Sequence, residues 1–566
     1  MRIDRLKGAR AVERHSISVT QLDGEAPRKN GGTPPADRRY SWPVVTPPSS
    51  ITDELPAPGS PEEEARFQEL YASLPRLWAN LQQDGHVEQT VVVVPSMTLD
   101  PEELLKLKGL PHYEERLLFM LILLSLPKTQ VVFVTSEPIN PVIIDYYLQL
   151  LPGIPFSHAR RRLHMFSTYD SSHKPLTAKI LERPTLLRRI KNAIGHAENR
   201  HLTVFNVTEL EKRLSVALDC PLLGPDPRHL HHGSKSGSRK LFREAGVNLP
   251  DGIEDIYTEE HLLESVLELC ARRPGMRKLV VKINEGFSGE GNAILNIEEL
   301  QRAQPASRRK LAKQLLPTCR FQAPGMTWPS FLHKFCEMGG VVEEFIEGEG
   351  KTSPSVQIRI TPQLESQLIS THDQILGGPD GQVFLGCRFP AEPSYRPQLH
   401  EAGRAIGQRL ADAGVIGRLS VDYLAVPRGT GEWDMFAIEI NLRKGGTTHP
   451  FRTLQFLTGG RYNADTGLFQ TGSAGVPKYY VASDNLESQA YKGLLPEDLI
   501  DITTYTGLHY NSSTNTGAVF HMIGALSEYG KLGVTCVADS PDEAQALYDQ
   551  TLETLDKALK SCDWIS

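Results

Sequence analysis

RLSVDYLAV (residues 418–426) and MFAIEINLRKGGTTHPF (residues 435–451), separated only by the turn-forming PRGTGEWD, carry the reading that decides this fold. Both are rich in β-branched and aromatic residues, and so short a connection predicts an antiparallel strand pair. Side chains two apart on a strand share a face, so Glu439, Asn441 and Arg443 project together, and the pairing sets Asp422 beside Glu439. Two carboxylates and an amide oxygen on one face make a hard oxygen site suited to Mg2+, with Mn2+ as a substitute. Arg443, with the backbone N–H groups of Gly445 and Gly446, would hold a phosphoryl group or a developing oxyanion. Val421, Phe436, Ile438 and Ile440 are expected on the opposite, core face. The competing reading of the acidic face is a surface ladder of salt bridges.

Three upstream stretches point to the same chemistry. In VVKINEGFSGEGN (280–292), a strand delivers Lys282 into a loop of Gly286, Phe287, Ser288, Gly289 and Gly291, whose backbone can turn toward an anion while the lysine supplies a point charge. No GK[ST] ends the loop and a strand-like NAIL follows, so it is neither a Walker A nor a Rossmann turn. Taken alone, it reads rather as a hairpin with a glycine turn and a solvated lysine. HGSKSGSRKLFREAGVNLP (232–250) enters a helix through Ser and Lys235, whose ammonium and first-turn N–H groups could face a phosphate. GGVVEEFIEGEGKTSPSVQIRI (339–360) is a strand, an acidic kink and a second strand; the kink offers backbone groups to a flat heterocycle and a carboxylate to vicinal hydroxyls. Its simpler reading is a plain hairpin. His229, His231 and His232 sit in a polar loop without a second ligand cluster, which argues against a metal there.

Bulk composition bounds the classes. A chain of 566 residues predicts three or four domains at roughly 100–200 residues each. Hydrophobic residues are 40 % and charged residues 23 %, the usage of a folded globular protein. The apolar helix around Leu117 runs free of charge only to Pro127, too short to cross a bilayer. The net charge of −7 disfavours a nucleic-acid partner. Seven cysteines without a CxxC pair disfavour disulfide and zinc scaffolds, and MRIDRLKGAR lacks the apolar core of a signal peptide, so a cytoplasmic protein with no membrane partner is expected.

Along the chain, residues 1–60 hold eight prolines and no apolar period, the pattern of a disordered leader. Residues 61–225 alternate helix and strand signals, predicting a parallel α/β layer; residues 226–458 carry the motifs above; residues 459–566 read as a small α/β module whose last helix opens on Ser540, Pro541 and Glu543.

In this order, these pieces resemble the ATP-grasp superfamily over residues 226–458. The resemblance implies α/β and α+β architecture: a pre-ATP-grasp domain, a central ATP-grasp fold and the C-terminal module. It implies that Lys235 and Lys282 contact ATP phosphates under the Phe287–Gly291 loop. Glu344, Phe345 and Ile346 would hold adenine through their backbone, and Glu347 or Glu349 the ribose. Asp422, Glu439 and Asn441 would bind magnesium, and Arg443 would lie near the transferred phosphate. The flanks, including TSEPINPVIIDYYLQLLPG and GAVFHMIGALSEYGKLGV, resemble the pheganomycin-type peptide ligases over about residues 88–560. The implied activity joins an amino-acid-like carboxylate to an amine or peptide acceptor through an acyl phosphate, releasing ADP and phosphate. A small-molecule kinase and a non-catalytic ATP-binding regulator remain as alternatives. His449 reads as a base for the amine or as a structural residue, and His521 as core.

Overall fold

The computed structural model describes residues 55–560 apart from 83–86, 287–290, 324, 378–380, 382, 430 and 473–474. Most of the expected leader, and the loop residues Phe287, Ser288 and Gly289, therefore lie outside the described residues. Ser60 already belongs to the fold: its hydroxyl accepts from Glu63 N–H at 3.2 Å and caps the helix Pro61–Ala72.

The first sheet is parallel, in the order β3 (Leu163–Ser167), β2 (Thr129–Thr135), β1 (Gln89–Val94), β4 (Asn199–Val204). Helices cover both faces, so its strands are continuous apolar runs rather than alternating ones: Val91, Val92, Val93 and Val94 are all fully buried. The apolar segment Leu110–Ser125 is tightly wound and buried against it, with Leu118, Leu121, Ile122 and Leu124 inaccessible. No helix among the described residues is long and apolar enough to cross a membrane.

A five-stranded antiparallel sheet follows, with β5 (Gly252–Ile256), β9 (Gly340–Glu344), β6 (Lys278–Ile283), β7 (Asn292–Asn296) and β8 (Arg320–Phe321) in that order. The largest sheet has eight strands: β14 (Trp433–Asn441), β13 (Gly417–Pro427), β10 (Pro354–Ile360), β11 (Ser366–Gly377), β12 (Val383–Phe389), β18 (Tyr479–Glu487), β20 (Lys531–Ala538) and β19 (Gly517–His521). Strands β15 (Arg461–Asn463), β16 (Leu468–Thr471) and β17 (Val476–Pro477) form a small third antiparallel unit.

Two sequence expectations change here. The stretch 339–360 is not a hairpin, because β9 and β10 belong to different sheets; the acidic kink is the crossing between them. The expected boundary at residue 459 is not a break in the fold. Strand β18 pairs with β12 through Arg388↔Val481, so the C-terminal strands extend the central sheet. They also share a core with the parallel layer, in which Phe133, Tyr147, Phe520 and Val534 pack together. Tyr147 Oη donates to Phe520 O and Phe520 N–H donates to Tyr146 Oη, both at 3.0 Å. Local periodicity identified a helix and strands correctly but carries no information about which sheet edge they join.

Candidate active site

A cavity of about 440 Å³ opens between the five-stranded and eight-stranded sheets. Its floor is the acidic strand pair. The register places Asp422 directly opposite Glu439, and a bulge follows at once, because Tyr423 pairs with Ala437 and leaves Ile438 as the extra residue. A bulge turns two consecutive side chains to one face. Ile438 therefore lines the cavity with Glu439 rather than the core, while Val421 and Ile440 are buried as expected and Phe436 is only half-buried. Without this bulge the expected four-residue core face would be correct.

The polar contacts on the floor all converge on the two carboxylates. Gln374 Nε2 donates to Asp422 Oδ1 at 2.8 Å, and Asn441 Nδ2 donates to Asp422 Oδ2 at 2.9 Å and Glu439 Oε1 at 3.3 Å. Lys235 forms an ion pair with Glu439. Burial and the negative charge of Glu439 push the Asp422 carboxyl up from the ordinary range. Burial acts the same way on Glu439, but Lys235 overcomes it and holds that carboxyl low. Two half-buried carboxylates side by side, of which Glu439 alone has a lysine ion-paired to it among the described contacts, are a site that gains from a cation. Turned about its amide axis, Asn441 offers Oδ1 as a third oxygen, and oxygen and nitrogen of an amide are assigned from the hydrogen-bond network. The set fits a hard divalent ion.

Lys235 is the first residue of the helix Lys235–Glu244, capped by Ser234. The first-turn N–H groups are not available to a phosphate: Ser236 N–H donates to Asn284 Oδ1 at 3.0 Å and Gly237 N–H to Ser234 Oγ at 3.0 Å. What the helix end presents to the cavity is the Lys235 side chain. Lys282 enters from β6 and pairs with Glu343, which Arg239 also contacts at 2.8 Å. At the neck of the glycine loop, a Cβ built on Gly291 would lie 3.3 Å from Gly286 Cα, so the two stems of the hairpin approach at backbone distance.

At the crossing between the sheets, Phe345 and Ile346 line the cavity together with Glu344. Two of the expected adenine-facing N–H groups are committed elsewhere: Glu344 N–H donates to Asp251 O at 2.8 Å and Phe345 N–H to Lys278 O at 3.2 Å. Neither Glu347 nor Glu349 lines the cavity. Both are exposed, and Glu347 Oε2 instead takes Arg277 Nη2 at 2.6 Å. In their place Lys351 lines the wall, its Nζ donating to Ile346 O at 3.2 Å and lying 4.7 Å from the Phe345 ring centroid.

Arg443, Gly445 and Gly446 line the opposite wall. Gly445 N–H already donates to Thr448 Oγ1 at 3.0 Å, so of the two expected oxyanion donors it is the one held by the fold. Beyond them lies a group that the sequence reading missed. Arg116 Nη2 approaches Asp484 Oδ2 at 2.8 Å, and both residues line the cavity. Behind Asp484, His449 Nε2 and His521 Nε2 lie 2.9 and 2.8 Å from its other oxygen, Oδ1. The ligand atoms of these three buried residues fall within 4.8 Å of one another, but Arg116 on the same carboxylate supplies the positive charge that a metal would bring. His449 does not line the cavity, and burial pushes its imidazole down to about 4 despite Asp484. It orients Asp484 and is not placed to deprotonate an amine. The available sequence signals were an arginine inside an apolar helix and an aspartate inside the strand YYVASDNLE.

Comparison with known proteins bears on the same region. Residues 228–318 and 311–465 match the family model described as IQCH-like, ATP-grasp, and residues 498–551 match the PGM1 C-terminal domain. The chain is 29 % identical over 458 residues to L-propargylglycine–L-glutamate ligase of Streptantibioticus cattleyicolor, covering 79 % of this chain and 89 % of that protein. It is 25 % identical to IQ motif-containing protein H of Danio rerio over 71 % of this chain and 42 % of that protein. Among solved structures, the biotin carboxylase domain of Hydrogenobacter thermophilus 2-oxoglutarate carboxylase aligns over 82 % of this chain and 90 % of its own, at 13 % identity and a TM-score of 0.49. The central part of this chain, residues 228–465, is thus similar to the IQCH-like ATP-grasp family.

Proposed function

We propose that this chain is an ATP-dependent carboxylate–amine ligase that forms an amide through an acyl phosphate and releases ADP and phosphate. The observation that carries the reading is the convergence of Asp422, Glu439 and Asn441 with Lys235, Lys282 and Arg443 in one cavity between two sheets. A relative named as an amino-acid ligase, alignable over most of both chains, supports it.

Lys235 and Lys282 bind and orient the nucleotide phosphates, and Phe345 and Ile346 cover the flat base with apolar surface. Asp422, Glu439 and Asn441 would hold Mg2+, which neutralises charge on the phosphates. A substrate carboxylate oxygen attacks the γ-phosphorus; the new P–O bond forms as the bond to ADP breaks. The amine nitrogen then attacks the acyl carbon, phosphate leaves, and the amine gives up its proton. Arg443 stabilises the oxygen that gains charge in that second step. No side-chain nucleophile is required.

The test incubates the protein with ATP, Mg2+ and pools of amino acids and short peptides, and reads ADP release and new amides by mass spectrometry. Acceptor-dependent ADP with a condensed product is expected. A stable phosphorylated product would make it a kinase, and ATP binding without ADP under every pool would make it a regulator.

A further inference from the structure

A second cavity, of about 290 Å³, lies beside the first and shares Phe205 and Arg443 with it. It is built where the parallel sheet, through Gln89, Val91, His201 and Thr203, meets β10 and β13 of the largest sheet. Its walls carry four further basic side chains, Arg359, Arg418, Lys444 and Arg452, and among the described lining residues there is no carboxylate.

Among the described residues, none of the hydrogen-bond partners of these four groups is charged. Arg359 Nη2 donates to Gln367 Oε1 at 2.6 Å and Arg452 Nη1 to Gln455 Oε1 at 2.6 Å. Lys444 Nζ donates to Thr203 Oγ1 at 3.2 Å and to the carbonyl of Val204. Arg418 Nη1 is buried with no hydrogen-bond partner, although the rest of the residue keeps some accessible surface. The strand register makes matters worse, because Arg359 and Arg418 stand directly opposite each other across the β10–β13 pair. Like charges directly opposite on a sheet repel. Burial depresses all four and, with a smaller push from neighbouring guanidinium groups, brings Lys444 down to about 7 and Arg452 to about 9. A buried cation without a counter-charge is costly, and here several are gathered around one hole.

Trp78, Leu81, Phe119, Met120 and Leu123 add apolar surface, beside uncharged polar groups such as Gln82, Gln89 and Asn206. Together these features describe a receptor for a ligand with an aliphatic body and more than one negative charge. We propose that this second cavity binds the acidic side of an organic dianion, a dicarboxylate such as an acidic amino acid or the acidic end of a short peptide. Because Arg443 lines both cavities, the ligand is a reactant whose other end reaches the active site rather than a distant effector. The word reactant rests on the ligase reading above; the anion site does not.

The binding test is made on the full chain without ATP, so that it is independent of turnover. Glutarate, L-glutamate, L-glutamine and inorganic phosphate are titrated at constant ionic strength by calorimetry and thermal denaturation. Saturable binding of glutarate and glutamate with a rise in Tm is expected, with glutamine at least tenfold weaker. Arg418→Met and Lys444→Met should each weaken glutamate at least tenfold, and the free variants should melt at or above the wild-type Tm because a buried like charge has gone. The second variant keeps the test decisive if the first fails to fold. No saturable binding of either dicarboxylate overturns the site. Phosphate binding that glutamate does not displace overturns the organic-dianion assignment. In turnover, the preference for glutamate over glutamine should fall at least tenfold in both variants. Amide formation indifferent to both overturns the reactant assignment. Dicarboxylate binding that Arg418→Met abolishes, with no amide under any pool, upholds the anion site and removes the ligase reading.

Discussion

Glu439 and Lys235 are 204 residues apart in the chain and form an ion pair inside one cavity. The contact joins the head of the Lys235–Glu244 helix to the edge strand of the largest sheet, and it holds one of two facing carboxylates ionised. Asp422 and Glu439 would hold the proposed ion, and Lys235 is the positive charge that serves Glu439 beside it. Glu439→Gln should lower kcat on the order of a hundredfold or more, at least what loss of a residue supporting a metal ligand costs. The fold should survive, because Glu439 is on a cavity wall and only half-buried. Steady-state turnover alongside circular dichroism decides it, and near wild-type turnover removes the metal assignment.

Lys282→Ala should raise the KM for ATP. Its partner Glu343 keeps Arg239 at 2.8 Å, so no uncompensated carboxylate is left behind. An ATP titration at saturating co-substrates is the measurement, and an unchanged KM makes Lys282 a purely structural residue.

Gly446→Ala should reduce turnover while leaving the melting temperature close to wild type. A Cβ there would fall 2.7 Å from Phe384 Cζ, and Phe384 lines the same cavity, so the methyl group can be accommodated only by moving the cavity wall. Arg443→Ala should cost more, about 10²- to 10³-fold, the loss seen when one oxyanion donor is removed.

Asp484→Asn should destabilise the protein by about 3–5 kcal/mol, the usual result of breaking a buried charge pair. Among the described residues, Asp484 is the carboxylate paired with Arg116, and both buried imidazoles turn to the same carboxylate. Urea denaturation reads the change, and a loss below about 1 kcal/mol would mean the cluster is not the anchor described here.

Stability should fall as pH drops from about 6.5 to 4. Burial holds His201 and His449 at about 4 and His372 at about 3, below the ordinary 6.5. In that window the unfolded chain binds protons that the native one does not, so stability rises with pH through it. The urea midpoint at pH 5 should lie clearly below that at pH 7.5; equal midpoints would show that these imidazoles titrate normally.

Much of the candidate site was legible because its residues sit on one strand at spacing two. Glu439, Asn441 and Arg443 had to share a face, and an eight-residue connection had to bring Asp422 alongside. Ile438 was misread because a bulge is a property of two paired strands, invisible in either alone. Glu347 stands outside the cavity for a related reason: which side chain of an irregular kink turns inward depends on neighbours such as Arg277, here drawing Glu347 out.

By itself, the sequence determined the strands and helices, the apolar runs that must be covered on both faces, and the acidic strand pair with its glycine loop. Those follow from periodicity and turn chemistry, which act over a few residues. Only the tertiary structure decided that the C-terminal strands complete the central sheet, that Arg116 meets Asp484, and that five basic side chains surround a second cavity. Each of those joins residues distant in sequence, and no local pattern encodes which surfaces an apolar strand edge or a buried charge will find when the chain collapses.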